Sequence, residues 1–298
     1  MIELKGVTKK FDDFTALENA DITIGSGTAF GLLGSNGAGK STILRLLSGI
    51  YEADAGNVLI DGEEVFDNAK VKQKVFFIND ETVQFGSMSL NEMKKYYSGF
   101  YPNFSGEVFD RLNETVKLPE NKKMDKFSKG MKRQAVVITG LASRCEYLFL
   151  DEAFDGLDPT MRNIVKRMLV DAMLDRKLTA VISSHNLKEI NEICDSAALI
   201  HRGKVLFCRD LDSVKGDIHK IRAAFNENYS ADDFSGLDIL CFEKKQSLTE
   251  IIARGDEETV TALINEKNPV VFDMIPLTLE EIFIYEMEGM GYDYKDTE

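Results

Sequence analysis

The chain has 298 residues, long enough for one large domain and a small one, and its 44% hydrophobic and 29% charged content is ordinary globular composition rather than disorder. A net charge of −14 argues against nucleic acid as the main ligand, because a phosphate backbone demands a concentrated basic face. The uncharged run Ala135–Ser143 falls far short of the roughly 18 residues a bilayer span needs, and MIELKGVTKKF lacks a secretory-signal pattern, so any membrane role comes through a partner.

In chain order, the first ~210 residues alternate short β-rich runs with helical stretches, the pattern of an α/β domain. Ala29–Leu33 reads as a buried strand, and Lys40–Ser48 as a helix entered through a glycine-rich turn. Val58–Ile60 is a strand that runs into an Asp61-Gly62 turn, and Val75–Ile78 is a further apolar strand. Between Ser89 and Lys117 the period becomes helical, with Leu90, Met93, Tyr97, Val108, Leu112 and Val116 facing inward. Tyr147–Asp151, Leu178–Ser183 and Ala197–His201 return to strand character, and Arg202-Gly203 turns the chain into Lys204–Cys208. From Leu211 the composition shifts to strands at Ile218–Phe225, Leu237–Glu243, Leu248–Ala253 and Val270–Met274. Two helices join them, Asp256–Glu266 and Leu279–Glu288, the second opened by a Thr278/Glu281 capping box. Cys145, Cys194, Cys208 and Cys241 show no CxxC pairing and only three histidines occur, so metal-ligand spacing is absent and the thiols read as core residues in a reducing compartment.

Chemistry concentrates in Gly34-Ser35-Asn36-Gly37-Ala38-Gly39-Lys40-Ser41-Thr42, a G-x-x-x-x-G-K-[ST] loop between a strand and a helix. Its glycines let the backbone wrap a polyphosphate with N–H groups pointing inward, and the helix N-terminus adds partial positive charge. Lys40 is placed to reach the β- and γ-phosphates, and the Ser41 hydroxyl to bind Mg2+. The apolar strand Tyr147–Asp151 ends on two acids: Asp151 is expected to hold the Mg2+ and Glu152 to polarise an attacking water.

The residues downstream give these motifs a family. Phe127-Ser128-Lys129-Gly130-Met131-Lys132-Arg133-Gln134 resembles the ABC signature sequence, Asp155-Gly156-Leu157-Asp158-Pro159 the D-loop, and Ser183-Ser184-His185 the strand end that carries the switch histidine. Phe11, 29 positions before Lys40, stands where that family places an aromatic to stack on adenine. The resemblance is to ABC transporter ATP-binding subunits over about 210 residues. Within them it is to bacterial ABC-2-type exporters and antibiotic-resistance or regulatory transporters, through the Ser-Lys-Gly-Met signature and the Leu279-Glu280-Glu281-Ile282-Phe283 ending.

The resemblance implies an α/β fold: a P-loop NTPase core of ABC ATPase type (residues 1–210) with an antiparallel β subdomain and a helical subdomain at about 81–127. A small C-terminal α+β accessory domain (211–298) completes it. It implies ATP and Mg2+ as cofactors and a head-to-tail pair with a second ATPase subunit, identical or paralogous. In that pair Ser128 and the Gly130 N–H contact the γ-phosphate of the facing protomer, His185 contacts the γ-phosphate or the attacking water, and Asp158 bridges the two sites. It further implies a polytopic ABC-2-like permease as partner, which would hold this cytoplasmic subunit on the inner face of the membrane, with no nucleic acid.

Departures from the pattern are specific. Asn79-Asp80-Glu81 stands where the family usually has a Gln, so Asp80 becomes the candidate Mg2+ ligand, with Gln84 as its rival. Lys129 replaces a small residue and Met131 a Gln. Phe85, Tyr96, Tyr97, Phe100, Tyr101 and Phe104 are candidates either for a permease docking surface or for the core of the helical lobe. The competing functions are a permease-free ABC ATPase acting on ribosomes or DNA, and a nucleotide switch with little turnover.

Overall fold

The computed structural model describes residues 1–79 and 87–289; Asp80, Glu81, Gln84 and Phe85 lie outside them. The chain divides into two units, Met1–Cys208 and Arg209–Glu298. Two long strands open the first unit, β1 (Ile2–Phe11) and β2 (Phe14–Ile24), followed by β3 (Ala29–Leu33) and helix α1 (Lys40–Leu47). Next come β4 (Ala55–Ile60), β5 (Glu63–Glu64), α2 (Ala69–Lys74) and β6 (Val75–Ile78). A helical stretch then holds α3 (Leu90–Ser98), α4 (Gly106–Val116) and α5 (Lys129–Ala142). Strands and helices alternate again through β7 (Tyr147–Asp151), α6 (Pro159–Arg176), β8 (Thr179–Ser183), α7 (Leu187–Ile193) and β9 (Ser196–His201), and β10 (Lys204–Asp210) follows β9 directly.

Strands β3, β7 and β8 are buried at all five positions, which is why they read as unbroken apolar runs rather than alternating ones. They form the middle of a six-stranded sheet ordered β10-β9-β3-β8-β7-β6, in which β3 pairs parallel with β8 and β9, and β7 pairs parallel with β6 and β8. A second, antiparallel sheet has the order β2-β1-β4-β5. One apolar cluster joins the two: Ile2, Leu17 and Ile60 from the antiparallel sheet, Ile43 and Leu47 from α1, and Phe30 and Phe149 from the central sheet. Helix α1 is thereby clamped between sheets, and the loop before it inherits that rigidity.

The helical stretch is tied down at β6. Tyr97 and Tyr101 each pack on Phe76 with ring centroids 5.3 Å away, and the Tyr101 hydroxyl donates to the Val75 carbonyl at 2.9 Å. Phe104 packs on Phe109 of α4, whereas Tyr96 and Phe100 remain exposed and touch one another at 4.8 Å. The aromatics of this lobe are therefore divided between core and surface.

The second unit runs α8 (Leu211–Asp217), β11 (Ile218–Ala224), β12 (Asp238–Lys245), β13 (Leu248–Arg254), α9 (Glu257–Asn265), β14 (Val271–Ile275) and α10 (Leu279–Gly289). Its sheet has the order β12-β13-β11-β14. On one face Ile221, Ala223, Ile251 and Ala253 pack against Val260 and Ile264 of α9; on the other, Ile218 and Ile252 pack against Ile282 of α10. Thr278 accepts from the Glu281 N–H while the Glu281 carboxylate accepts from the Thr278 N–H, the reciprocal cap expected from the sequence.

All four cysteines are free, and burial pushes the Cys145 and Cys194 thiols up, as suits inert core residues. Cys208 departs from the core assignment: it is exposed, the first of the three exposed positions that end β10 after the buried Phe207. No helix among the described residues is long and apolar enough to cross a membrane.

Candidate active site

The carboxyl ends of β3, β8 and β7 lie side by side and deliver three motifs to one crevice, where ligands bind in open parallel sheets. From β3 comes the loop Gly34, Ser35, Asn36, Gly37, Ala38 and Gly39. Gly39 takes φ +118°, and a Cβ there would stand 2.9 Å from the Ala16 carbonyl, so a side chain is excluded twice over. The same contact seats the start of β2 on the loop. The loop is braced from the β9–β10 turn as well, by Gly203 N–H donating to the Ala38 carbonyl at 2.9 Å and Glu18 N–H to the Gly203 carbonyl at 2.8 Å.

Helix α1 begins at Lys40 with no side-chain cap, unlike α5 and α6, whose first N–H groups are taken by Ser128 and Asp158. The leading N–H groups of a helix, those of Lys40, Ser41 and Thr42 here, have no intrahelical acceptor, so together with the helix dipole they offer a seat for an anion. Lys40 is 5% exposed, and its ammonium donates to the Gly34 carbonyl at 2.7 Å and the Ser35 carbonyl at 3.1 Å. Burial lowers its pKa, against the opposing pull of Glu152 and Asp151.

Ser183 of β8 organises the acids of β7. Opposite Asp151 in the parallel register, it donates its hydroxyl to Asp151 Oδ1 at 2.5 Å and accepts the Glu152 N–H at 3.1 Å. Asp151 is fully buried, and its Oδ2 has no hydrogen-bond partner among the described residues. The next residue bends away: Glu152 sits in the left-handed region at φ +47°, a conformation uncommon for a residue with a side chain. The bend carries its carboxylate out of the sheet, to 3.7 Å from Lys40 Nζ and 3.0 Å from His185 Nδ1. Burial raises the Glu152 pKa; Lys40 and His185 oppose that rise and Asp155 adds to it.

The structure therefore gathers Gly34–Thr42, Asp151, Glu152 and His185 at one mouth. Phe11 closes the β1–β2 hairpin opposite Phe14, its ring edge-on to Tyr51 at 5.2 Å, with Lys9 Nζ 5.5 Å from its centroid. Ser128 and Asp158 both act as N-caps here, Ser128 accepting from the Met131 N–H at 3.2 Å and Asp158 Oδ1 from the Thr160 and Met161 N–H groups at 3.0 Å. Gly130 approaches the D-loop so closely that a Cβ there would lie 2.9 Å from the Gly156 carbonyl.

Four residues in this region were not anticipated as site residues from the sequence. Ser183 holds both acids of β7, and Asp155 lies with Glu152 and His185 in a set whose carboxylate and imidazole atoms are all within 4.8 Å of one another. Arg133, 2% exposed on α5, donates to the Asn79 carbonyl at the end of β6. Glu189, 5% exposed on α7, accepts from the Ser184 hydroxyl beside His185. Ser183 and Asp155 stand inside motifs read from the sequence, but the roles of Ser183, Arg133 and Glu189 follow from strand register and helix packing, and that of Asp155 from the turn that joins its N–H to the Glu152 carbonyl at 3.1 Å.

Residues 17–155 match the family model described as ABC transporter. The chain is 31% identical to the ABC transporter ATP-binding protein YtrB of Bacillus subtilis (strain 168), over 97% of this chain and 99% of that protein. It is 30% identical to the ATP-binding protein NatA of the same organism, over 72% of this chain and 91% of NatA. Among solved structures, an ATP-binding subunit of an ABC transporter superposes with a TM-score of 0.66 at 23% identity, covering 72% of this chain and 92% of that one. The fold of a dimeric ATP-binding cassette bound to ADP and Pi is also shared, with a TM-score of 0.64 at 21% identity over 71% of this chain and 99% of that one. Alike in sequence to YtrB almost from end to end, the chain belongs to the ABC transporter family, as an ATP-binding ATPase subunit.

Proposed function

We propose that this subunit hydrolyses ATP at a site shared by two head-to-tail protomers and transmits the cycle of closure and release to a membrane permease. The observation that carries the reading is the placement of Glu152, held between the P-loop lysine at 3.7 Å and His185 at 3.0 Å. Lys40 would exchange its contacts with the loop carbonyls for phosphate oxygens, while the free N–H groups at the start of α1 receive the rest of the anion. Glu152 would take or polarise the proton of the attacking water, and His185 would hold that carboxylate and the γ-phosphate in register.

The donors present suit Mg2+. Asp151 Oδ2 is buried without a hydrogen-bond partner among the described residues, and together with the Ser41 hydroxyl it would offer a hard cation the oxygen donors such an ion prefers. Bound there, the ion would neutralise charge on the β- and γ-phosphates. Asp80 remains the proposed further oxygen ligand.

From the facing protomer, Ser128 and the Gly130 N–H would close over the γ-phosphate, with Phe11 stacking on adenine and Asp158 linking the two sites. Loss of the γ-phosphate would then release the pair, a two-state element biased by a ligand. The permease we infer is of ABC-2 exporter type. Support comes from the Ser128–Met131 signature, from the Leu279–Phe283 ending, and from 27% identity over 94% of the chain to a Bacillus subtilis protein named for linearmycin resistance. A cleft of about 570 Å3 between α4, α5 and α6, whose lining combines Leu112, Ile164 and Met168 with Arg111, Arg144 and Arg167, would seat a short permease helix. Such a partner would hold the subunit at the cytoplasmic face of the membrane.

Glu152→Gln tests the catalytic reading. The variant is expected to lose ATP turnover by at least about a hundredfold while still binding ATP, and to persist as an ATP-bound dimer in size-exclusion chromatography. Unchanged turnover overturns the assignment. Recovery of a polytopic protein with the subunit from membranes tests the partner; recovery of ribosomes or DNA alone would overturn that part.

A further inference from the structure

Ser184 lies immediately before His185 and is 1% exposed. Its hydroxyl donates to Glu189 Oε2 at 2.8 Å and accepts the Asn186 N–H at 2.9 Å. Glu189, on α7, directs its other carboxylate oxygen to the Arg162 guanidinium at 3.1 Å. Arg162 belongs to the first turn of α6, where its N–H donates to the carbonyl of the cap residue Asp158 at 2.9 Å. A continuous run of polar contacts therefore leads from the strand end bearing His185 to the helix bearing Asp158.

Helices α6 and α7 do not need this run merely to stay together, since Lys166 and Glu192 make a second, outer ion pair between them. The two pairs differ at the carboxylate: Glu189 is 6% exposed and Glu192 56%, whereas Arg162 at 32% is the more exposed of the two cations and Lys166 stands at 12%. A carboxylate so placed carries a desolvation penalty, which its contacts with Ser184 on one oxygen and Arg162 on the other offset. The first of these contacts holds Ser184, and through it the backbone on which His185 sits.

We propose that Glu189 and Arg162 are positioning residues that lock the His185 loop to the Asp158 end of α6, so that both shift together when the γ-phosphate leaves. The proposal rests on the catalytic and dimeric reading above for what His185 and Asp158 face. It assigns to neither Glu189 nor Arg162 any contact with nucleotide.

Steady-state ATPase measurements on the full chain test it with three variants that cut the run at different links. Ser184→Ala removes the hydroxyl, Glu189→Gln the charge, and Arg162→Lys the planar fork while keeping the charge. Each is expected to lower kcat about three- to thirtyfold with KM for ATP changed less than about twofold. The double variant Ser184→Ala/Arg162→Lys joins residues that meet only through Glu189, and is expected to be no slower than the slower single variant. Multiplying losses in the double variant, or wild-type kcat in any of the three that melts cooperatively, overturns the proposal. ATP-driven dimerisation of Glu152→Gln, measured alongside, separates the two levels: if that variant does not dimerise, the parent reading fails and takes this one with it, whereas dimerisation with unaltered kcat in the positioning variants sinks this one alone.

Discussion

Glu152 shows how a single carboxylate is prepared by its surroundings. Burial raises its pKa above the ordinary glutamate value, Lys40 and His185 hold the rise in check, and Asp155 pushes it further. A group that must be ionised to accept a proton loses function as pH falls through its pKa, so the acid limb of kcat/KM lies above the usual carboxylate range. Asp155→Asn removes a negative neighbour and is expected to move that limb to lower pH, with kcat at neutral pH little changed. Both proteins meet the same nucleotide, so the difference between their pH profiles isolates Glu152; a limb that stays put or moves upward contradicts the electrostatic account. The acids of β7 and the P-loop were legible because contiguous residues carry them. Ser183 and Asp155 were visible as members of motifs but their roles were not, because the parallel register of β7 on β8 and the left-handed bend at Glu152 create them.

Among the elements, α5 and the D-loop meet at a contact that only hydrogen at Cα permits. Gly130→Ala would set a Cβ 2.9 Å from the Gly156 carbonyl, closer than real Cβ atoms come to backbone oxygen. One of the two backbones has to move, at an expected loss of about 1–3 kcal/mol in unfolding free energy. The N–H groups that open α1 take no part in that contact. ATP binding to the protomer is therefore expected to survive while ATP-driven dimerisation weakens; equilibrium denaturation and analytical ultracentrifugation read the two effects separately. At this scale the sequence spoke unevenly. Strands β3, β7 and β8 announce themselves as apolar runs, but β1 and β2, the longest strands, were foreseen only as part of an implied antiparallel subdomain. Register shifts after Leu4, Val7 and Lys9 break the period of two on which strand recognition depends. In the second unit the strands were readable while their order was not, since β11 and β12 are separated in the sheet by β13.

For the molecule as a whole, charge is partitioned as unequally as chemistry. Residues 209–298 contain 9 Lys and Arg against 21 Asp and Glu, whereas residues 1–208 contain 27 against 29. Nearly all of the net −14 thus resides in the unit that carries none of the proposed site residues. Three of its cations are drawn to one carboxylate: Lys220, Arg222 and Lys245 all lie within 3.4 Å of Glu250. Asp217, Asp238, Glu243 and Glu281 also meet cations, but the acids outnumber the cations, and salt screens the repulsion among the excess over about 8–10 Å. Each unit closes apolar clusters of its own, so each is expected to unfold cooperatively as a separate fragment. The midpoint for residues 209–298 should rise as NaCl is raised from low to physiological concentration and ignore ATP. Residues 1–208, close to neutral, should respond weakly to salt but gain about 2.7 kcal/mol when ATP is present at a hundred times its Kd. Thermal scans of the two fragments across salt and nucleotide concentration give four responses. A salt-insensitive second fragment, or one stabilised by ATP, contradicts this division of charge from chemistry.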